Sequence, residues 1–74
     1  MTPVHALRLL DTVALLADVP ECGLLRGQVG TLVDRPAEGV WLVEFSDDEG
    51  RAYAVPALRD EQVIVLRFAA AQAA

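Results

Sequence analysis

The chain has 74 residues, 54% of them hydrophobic, with six Arg, no Lys and eleven acidic side chains giving a net charge of −5. That length holds one domain around one core and excludes a second, and the apolar content excludes a disordered chain. The negative balance argues against nucleic acid, because affinity for phosphate backbones comes from clustered cations, and Arg8, Arg26, Arg35, Arg51, Arg59 and Arg67 are scattered singly.

An acidic surface suits a basic protein partner instead, through steering and complementarity. Cys22 is the only cysteine, so no disulfide can form within the chain, which points to a reducing compartment. The start, Met1-Thr2-Pro3-Val4-His5, has neither a basic segment nor a long apolar run, so no signal peptide is expected. The longest apolar stretches are about five residues against the roughly 20 needed to span a bilayer. A soluble, cytoplasmic protein without membrane contact is expected.

In chain order, residues 1–8 read as a lead-in, 9–68 as the domain and 69–74 as an alanine-rich tail that frays. Asp11 to Leu16 is a first strand by its Val, Thr and Leu content, although Ala and Leu would also continue a helix from Leu7. Asp18 to Gly23 is loop chemistry, with Pro20 pushing Val19 out of the helical region, and Leu24-Leu25 re-enters the core as a latch. Gln28 to Asp34 is a second strand with Val29, Thr31 and Val33 on one face and Gly30 and Leu32 on the other. Gly30 within that run marks a bulge or a close backbone approach, and Gly27 a bend.

Arg35 to Gly39 reads as a turn, with Pro36 fixing φ and Gly39 taking the left-handed position. Val40 to Phe45 is a third strand, its alternation setting Trp41, Val43 and Phe45 toward the core and leaving Val40, Leu42 and Glu44 outward. Ser46 to Gly50 is a hairpin tip closed by Gly50. Arg51 to Pro56 is a fourth strand with Tyr53 and Val55 on one side, Ala57 to Glu61 one helical turn, and Gln62 to Leu66 a fifth strand. The expected core is Val13, Val29, Val33, Trp41, Val43 and Phe45. Five short strands, a long first loop and one helical turn before the last strand describe an all-β, SH3-like barrel, whose closure removes free edges.

The residues Asp11-Thr12-Val13-Ala14-Leu15-Leu16, Leu24, Arg26-Gly27-Gln28-Val29-Gly30-Thr31-Leu32-Val33, Val43-Glu44-Phe45, Asp48, Gly50 and Leu58 resemble the bacterial family known as domain of unknown function 4926, over roughly Leu9 to Leu66. The resemblance implies the SH3-like barrel and a small stand-alone bacterial protein, and it implies no activity. Pro56 and the alanine tail depart from its pattern.

No catalytic set is visible. His5 and Cys22 stand 17 residues apart without a second ligand pair, which does not make a zinc site, and Cys22 lacks a base to activate it. The acidic residues Glu44, Asp47, Asp48 and Glu49 lack the spacing of a calcium loop, so no metal or cofactor is expected. Glu44 lies within an apolar strand and is expected to pair with Arg51 or Arg35. Gly27 to Gly30 does not open a helix, which excludes a phosphate-cradling loop. Trp41 and Tyr53 are too few to build an aromatic peptide groove while also serving the core.

The expected function is a non-enzymatic protein-binding module, of antitoxin, immunity or accessory type. It would dock on a larger protein, or form a homodimer, through Glu21, Leu24 and Leu25 of the first loop and Asp47, Asp48 and Glu49 of the tip. Val40, Leu42, Leu24 and Leu25 are the apolar surplus that motivates this reading. The alternative is a KOW-like, nucleic-acid-associated barrel using the arginines.

Overall fold

Short runs of Val, Thr, Leu and Ala, each interrupted within a few residues by Gly, Pro or Asp, give short strands rather than long ones. The computed structural model describes residues 6–70 and contains β1 (Thr12–Leu15), β2 (Val29–Ala37), β3 (Val40–Ser46), β4 (Ala52–Ala54), β5 (Ala57–Arg59) and β6 (Val63–Val65). Single 3-10 turns lie at Pro20–Cys22 and Asp60–Gln62, and no α-helix occurs among the described residues. The expectations for His5 and for residues 71–74 of the tail fall outside the described residues.

All six strands belong to one antiparallel sheet in the order β4-β3-β2-β1-β6, with β5 also on β3. β3 is long enough to carry two short partners on one edge. Its start pairs with β5 (Trp41 opposite Leu58) and its end with β4 (Phe45 opposite Ala54). Pro56 lies between these two partners and needs no donor there, and its carbonyl accepts the Val43 N–H at 3.0 Å. The core is Val13, Leu15, Val19, Leu24, Leu32, Trp41, Val43, Phe45, Leu58 and Val63. Burial of side chains of this size contributes about 1.5–3 kcal/mol each, which is the main stabilising term in so small a domain.

Four expectations need correction. The sheet is all-β as expected, but it does not close. No pairing joins β6 to β4 or β5 among the described residues, so the ladder ends at open edges instead of sealing a barrel. There is a sixth strand, because Ala57–Arg59 pairs with Val40–Leu42 where a helical turn was expected. Backbone pairing with β3 overrides the helix preference of Ala, Leu and Arg, and the single turn moves to Asp60–Gln62, still just before the last strand. The turn expected over Arg35 to Gly39 shrinks to Glu38 and Gly39, because β2 runs through Pro36 to Ala37 with register shifts that absorb the proline.

Lastly, Val29 and Val33 are not core residues; they are 49% and 39% exposed. Val13 stands opposite Gly30, and Leu32 opposite Val43, so the buried Val13 and Val43 fix Gly30 and Leu32 on the inner face. Alternation then turns Val29, Thr31 and Val33, on either side of these two residues, outward, with Val33 at the register shift between Leu32 and Asp34. The other expected core residues hold: Val13, Trp41, Val43 and Phe45 are at most 3% exposed. Gly27, Gly39 and Gly50 have positive φ values of 91°, 74° and 81°, as bend and turn positions require.

Candidate functional site

The first loop is built around a small internal bridge. Val19 N–H donates to the Leu24 carbonyl at 2.8 Å and Leu24 N–H to the Val19 carbonyl at 3.1 Å, which closes the turn at Pro20–Cys22 and drops both side chains inward. Leu24 is therefore 1% exposed and cannot touch a partner, which corrects its expected role. Glu21 is exposed on the turn, and Leu25 is 63% exposed just beyond it. The Leu25 N–H donates to Gln28 Oε1, and Gln28 Nε2 donates to the Tyr53 hydroxyl at 2.9 Å. Gln28 thus ties the loop to β4 and sets Leu25 and Tyr53 on one surface.

The acidic tip mostly serves itself. Asp47 Oδ1 accepts the N–H groups of Glu49 at 2.9 Å and Arg51 at 3.0 Å. The Arg51 guanidinium meets Asp47 at 3.5 Å and Glu49 at 2.8 Å. Two of the three tip carboxylates expected to face a partner are thereby engaged within the hairpin, while Asp48 is exposed. Glu44 does not take Arg51 or Arg35 as expected, because Arg51 is held at the tip and Arg35 lies over Trp41; Glu44 is half-buried opposite Thr31. Val40 and Leu42 are also half-buried, on β3 where Arg59 and Ala57 of β5 stand opposite them. Trp41 is buried while Tyr53 is 52% exposed on the surface shared with Leu25, so the two aromatics form no common groove.

A different feature lies where the sheet fails to close. A cleft of about 590 Å³ separates β6 from the start of β3, walled by Leu7, Leu16, Trp41 and Val65, with Arg35 and Asp60 also lining it. The Trp41 indole N–H donates to Asp60 Oδ1 at 2.6 Å, and the Arg35 guanidinium carbon sits 5.2 Å from the centre of the Trp41 ring. The carboxylate thus meets the positive edge of the ring and the cation its negative face. Asp60 is positioned by its own N–H, which donates to the Gly39 carbonyl at 3.2 Å, and by the turn that opens with Arg59 N–H donating to Gln62 Oε1 at 2.9 Å. These contacts immobilise the indole as a wall of the cleft.

Sequence reasoning did not single out Gln28, Arg35, Asp60, Ile64 or Val65 as site residues. The signal that could have found the cleft is a buried tryptophan, whose N–H needs an acceptor, together with the Asp60 that precedes the last apolar run. Among the described residues no group of three or more His, Cys, Asp or Glu is arranged to hold a metal ion, and no helix is long and apolar enough to cross a membrane.

No curated protein and no solved structure matches the chain. Residues 9–65 match the family model described as Domain of unknown function (DUF4926), and the chain belongs to that family.

Proposed function

We propose that the chain is a non-enzymatic protein-binding module that docks on a larger cytoplasmic partner, as an antitoxin, an immunity-type protein or an accessory subunit. We further read its bent open sheet as an SH3-like arrangement with one seam left unsealed. The observation that carries the docking reading is an apolar row across the solvent face of the sheet. Ala14 stands opposite Ile64 on one side and Val29 on the other, and Ile64 and Val29 are 46% and 49% exposed. Leu16, just past the end of β1, is 48% exposed and lines the cleft together with Ile64. Antiparallel sheets usually place polar side chains on a face left to water, and a contiguous apolar patch there marks an interaction surface. The net charge of −5 favours a basic partner.

The test is affinity capture from source cells with the wild-type chain, Ile64→Lys and Arg51→Ala. The reading expects one stoichiometric partner with wild type and Arg51→Ala, and its loss with Ile64→Lys. A strictly monomeric wild-type protein that retains nothing, or capture unaffected by Ile64→Lys, contradicts it.

A further inference from the structure

We infer that the outer edge of β6 captures an extended, alternately apolar segment of a partner protein as an added strand. This rests on the protein-binding reading and names the partner's chemistry. The phase of the β1/β6 ladder supplies the argument. Leu16 N–H donates to the Gln62 carbonyl and Leu66 N–H to the Thr12 carbonyl, both at 2.9 Å, with Ala14 opposite Ile64 between them. Gln62, Ile64 and Leu66 therefore turn their main-chain groups toward β1, and by alternation Val63 and Val65 turn theirs away from it. The Val63 N–H is used by the Asp60 carbonyl at the end of the 3-10 turn. Among the described residues, the Val63 carbonyl and both the N–H and the carbonyl of Val65 have no bond, and no strand lies on that side of β6. An edge of this kind is a template for a further strand.

The cleft beside this edge decides which strand fits. A segment laid about 4.8 Å from β6 places alternate side chains on the same side as Val63 and Val65, that is, toward Trp41 and Leu7. The cleft volume of about 590 Å³ falls within the range of sites that take drug-sized groups. The β6 of a second copy does not fit this description. Its own Val63 is 6% exposed and Val65 half-buried against its own core, so neither is free to fill the cleft. A second copy also brings another net charge of −5 to the same contact. The occupant is therefore a segment that is not already part of a sheet, with apolar side chains at alternate positions and basic ones between them facing solvent.

The experiment titrates the full-length, 15N-labelled chain with three capped seven-residue peptides. One alternates valine and lysine, the second alternates serine and lysine, and the third is the valine–lysine peptide N-methylated at alternate amides in both phases. The expected result is saturable movement of the Val65 amide and the Trp41 indole signals with the first peptide, and slowed exchange of the Val65 amide. Serine replacement, N-methylation and the variant Val65→Pro, which removes an N–H but no bond to β1, should each weaken binding about tenfold or more. Binding that moves Leu25 and Tyr53 instead leaves the protein-binding reading standing and overturns strand capture at β6. No shift up to about 1 mM, or equal binding by the N-methylated peptide, also overturns it, while the cell-extract capture separately decides the broader reading. Self-association that moves the Val65 amide without peptide would assign the edge to a second copy and overturn the partner assignment.

Discussion

Replacing Gly30 with Ala should damage this protein more than replacing any of its turn glycines. A Cβ on Gly30 would sit 2.8 Å from Val43 Cγ1, 2.9 Å from the Glu44 carbonyl oxygen and 3.1 Å from Phe45 Cδ2. The valine methyl and the phenylalanine ring belong to fully buried core side chains, and the carbonyl belongs to the β3 backbone, so none of the three is a flexible tip that can swing away. Forcing one extra carbon into such a site typically costs 1–3 kcal/mol, and the alanine recovers roughly 0.4–1 kcal/mol by restricting the unfolded chain. With a backbone atom among the clashes, a net loss of about 2 kcal/mol is expected. A chain of this length is stable by roughly 4–11 kcal/mol, so the loss is large. At Gly27, by contrast, φ is 91° and nothing lies within 4 Å of an added Cβ, so only the left-handed backbone opposes alanine, at about 1 kcal/mol. Urea unfolding of both variants measures this, and Gly30→Ala should also lower Tm by about 8–16 °C. Gly30→Ala unfolding within about 0.5 kcal/mol of wild type, or Gly27→Ala proving the worse of the two, would refute the close approach of β2 and β3.

Adjacent leucines of the first loop should behave oppositely: Leu24→Ala is expected to cost about 3 kcal/mol because the side chain is 1% exposed, and Leu25→Ala, at 63% exposed, less than about 0.5 kcal/mol, both by urea unfolding. Trp41→Phe should destabilise by about 1–2 kcal/mol through loss of the 2.6 Å bond to Asp60, and a double-mutant cycle with Asp60→Ala should show coupling of about 1 kcal/mol. Additive effects would mean the bond contributes nothing. Arg51→Ala should change stability by less than about 0.5 kcal/mol despite its two ion pairs, because the side chain is 73% exposed and solvent screens them. Short single-stranded RNA and duplex DNA should give no band shift even at low salt; binding that weakens steeply with salt would instead favour the KOW-like alternative.

The strong strands were legible because their signals are local. The alternation of Trp41, Val43 and Phe45 and the apolar run of β1 needed no tertiary information. What was hidden depends on pairing. Ala57-Leu58-Arg59 has helix-forming residues, and only β3 makes it a strand. Val29 and Val33 look as apolar as Leu32, and their outward orientation follows from Val13 facing Gly30, a register that no single strand encodes. The docking residues expected from sequence separated for the same reason. Asp47 and Glu49 turned to Arg51 and Leu24 to the core, leaving Glu21, Leu25 and Asp48 as the exposed remainder. The seam at β6 was invisible because five strands were expected to close, and an edge exists only where closure fails.

Among the described residues the outer main-chain edge of β6 is free, and hydrogen exchange at single amides tests this most directly. In the isolated full-length chain, Leu16 and Leu66, whose N–H groups bond to Gln62 and Thr12, should exchange slowly. The Val65 amide should exchange close to the rate of an unstructured peptide. A Val65 amide as protected as Leu66 would mean the seam is already sealed, and would contradict the account.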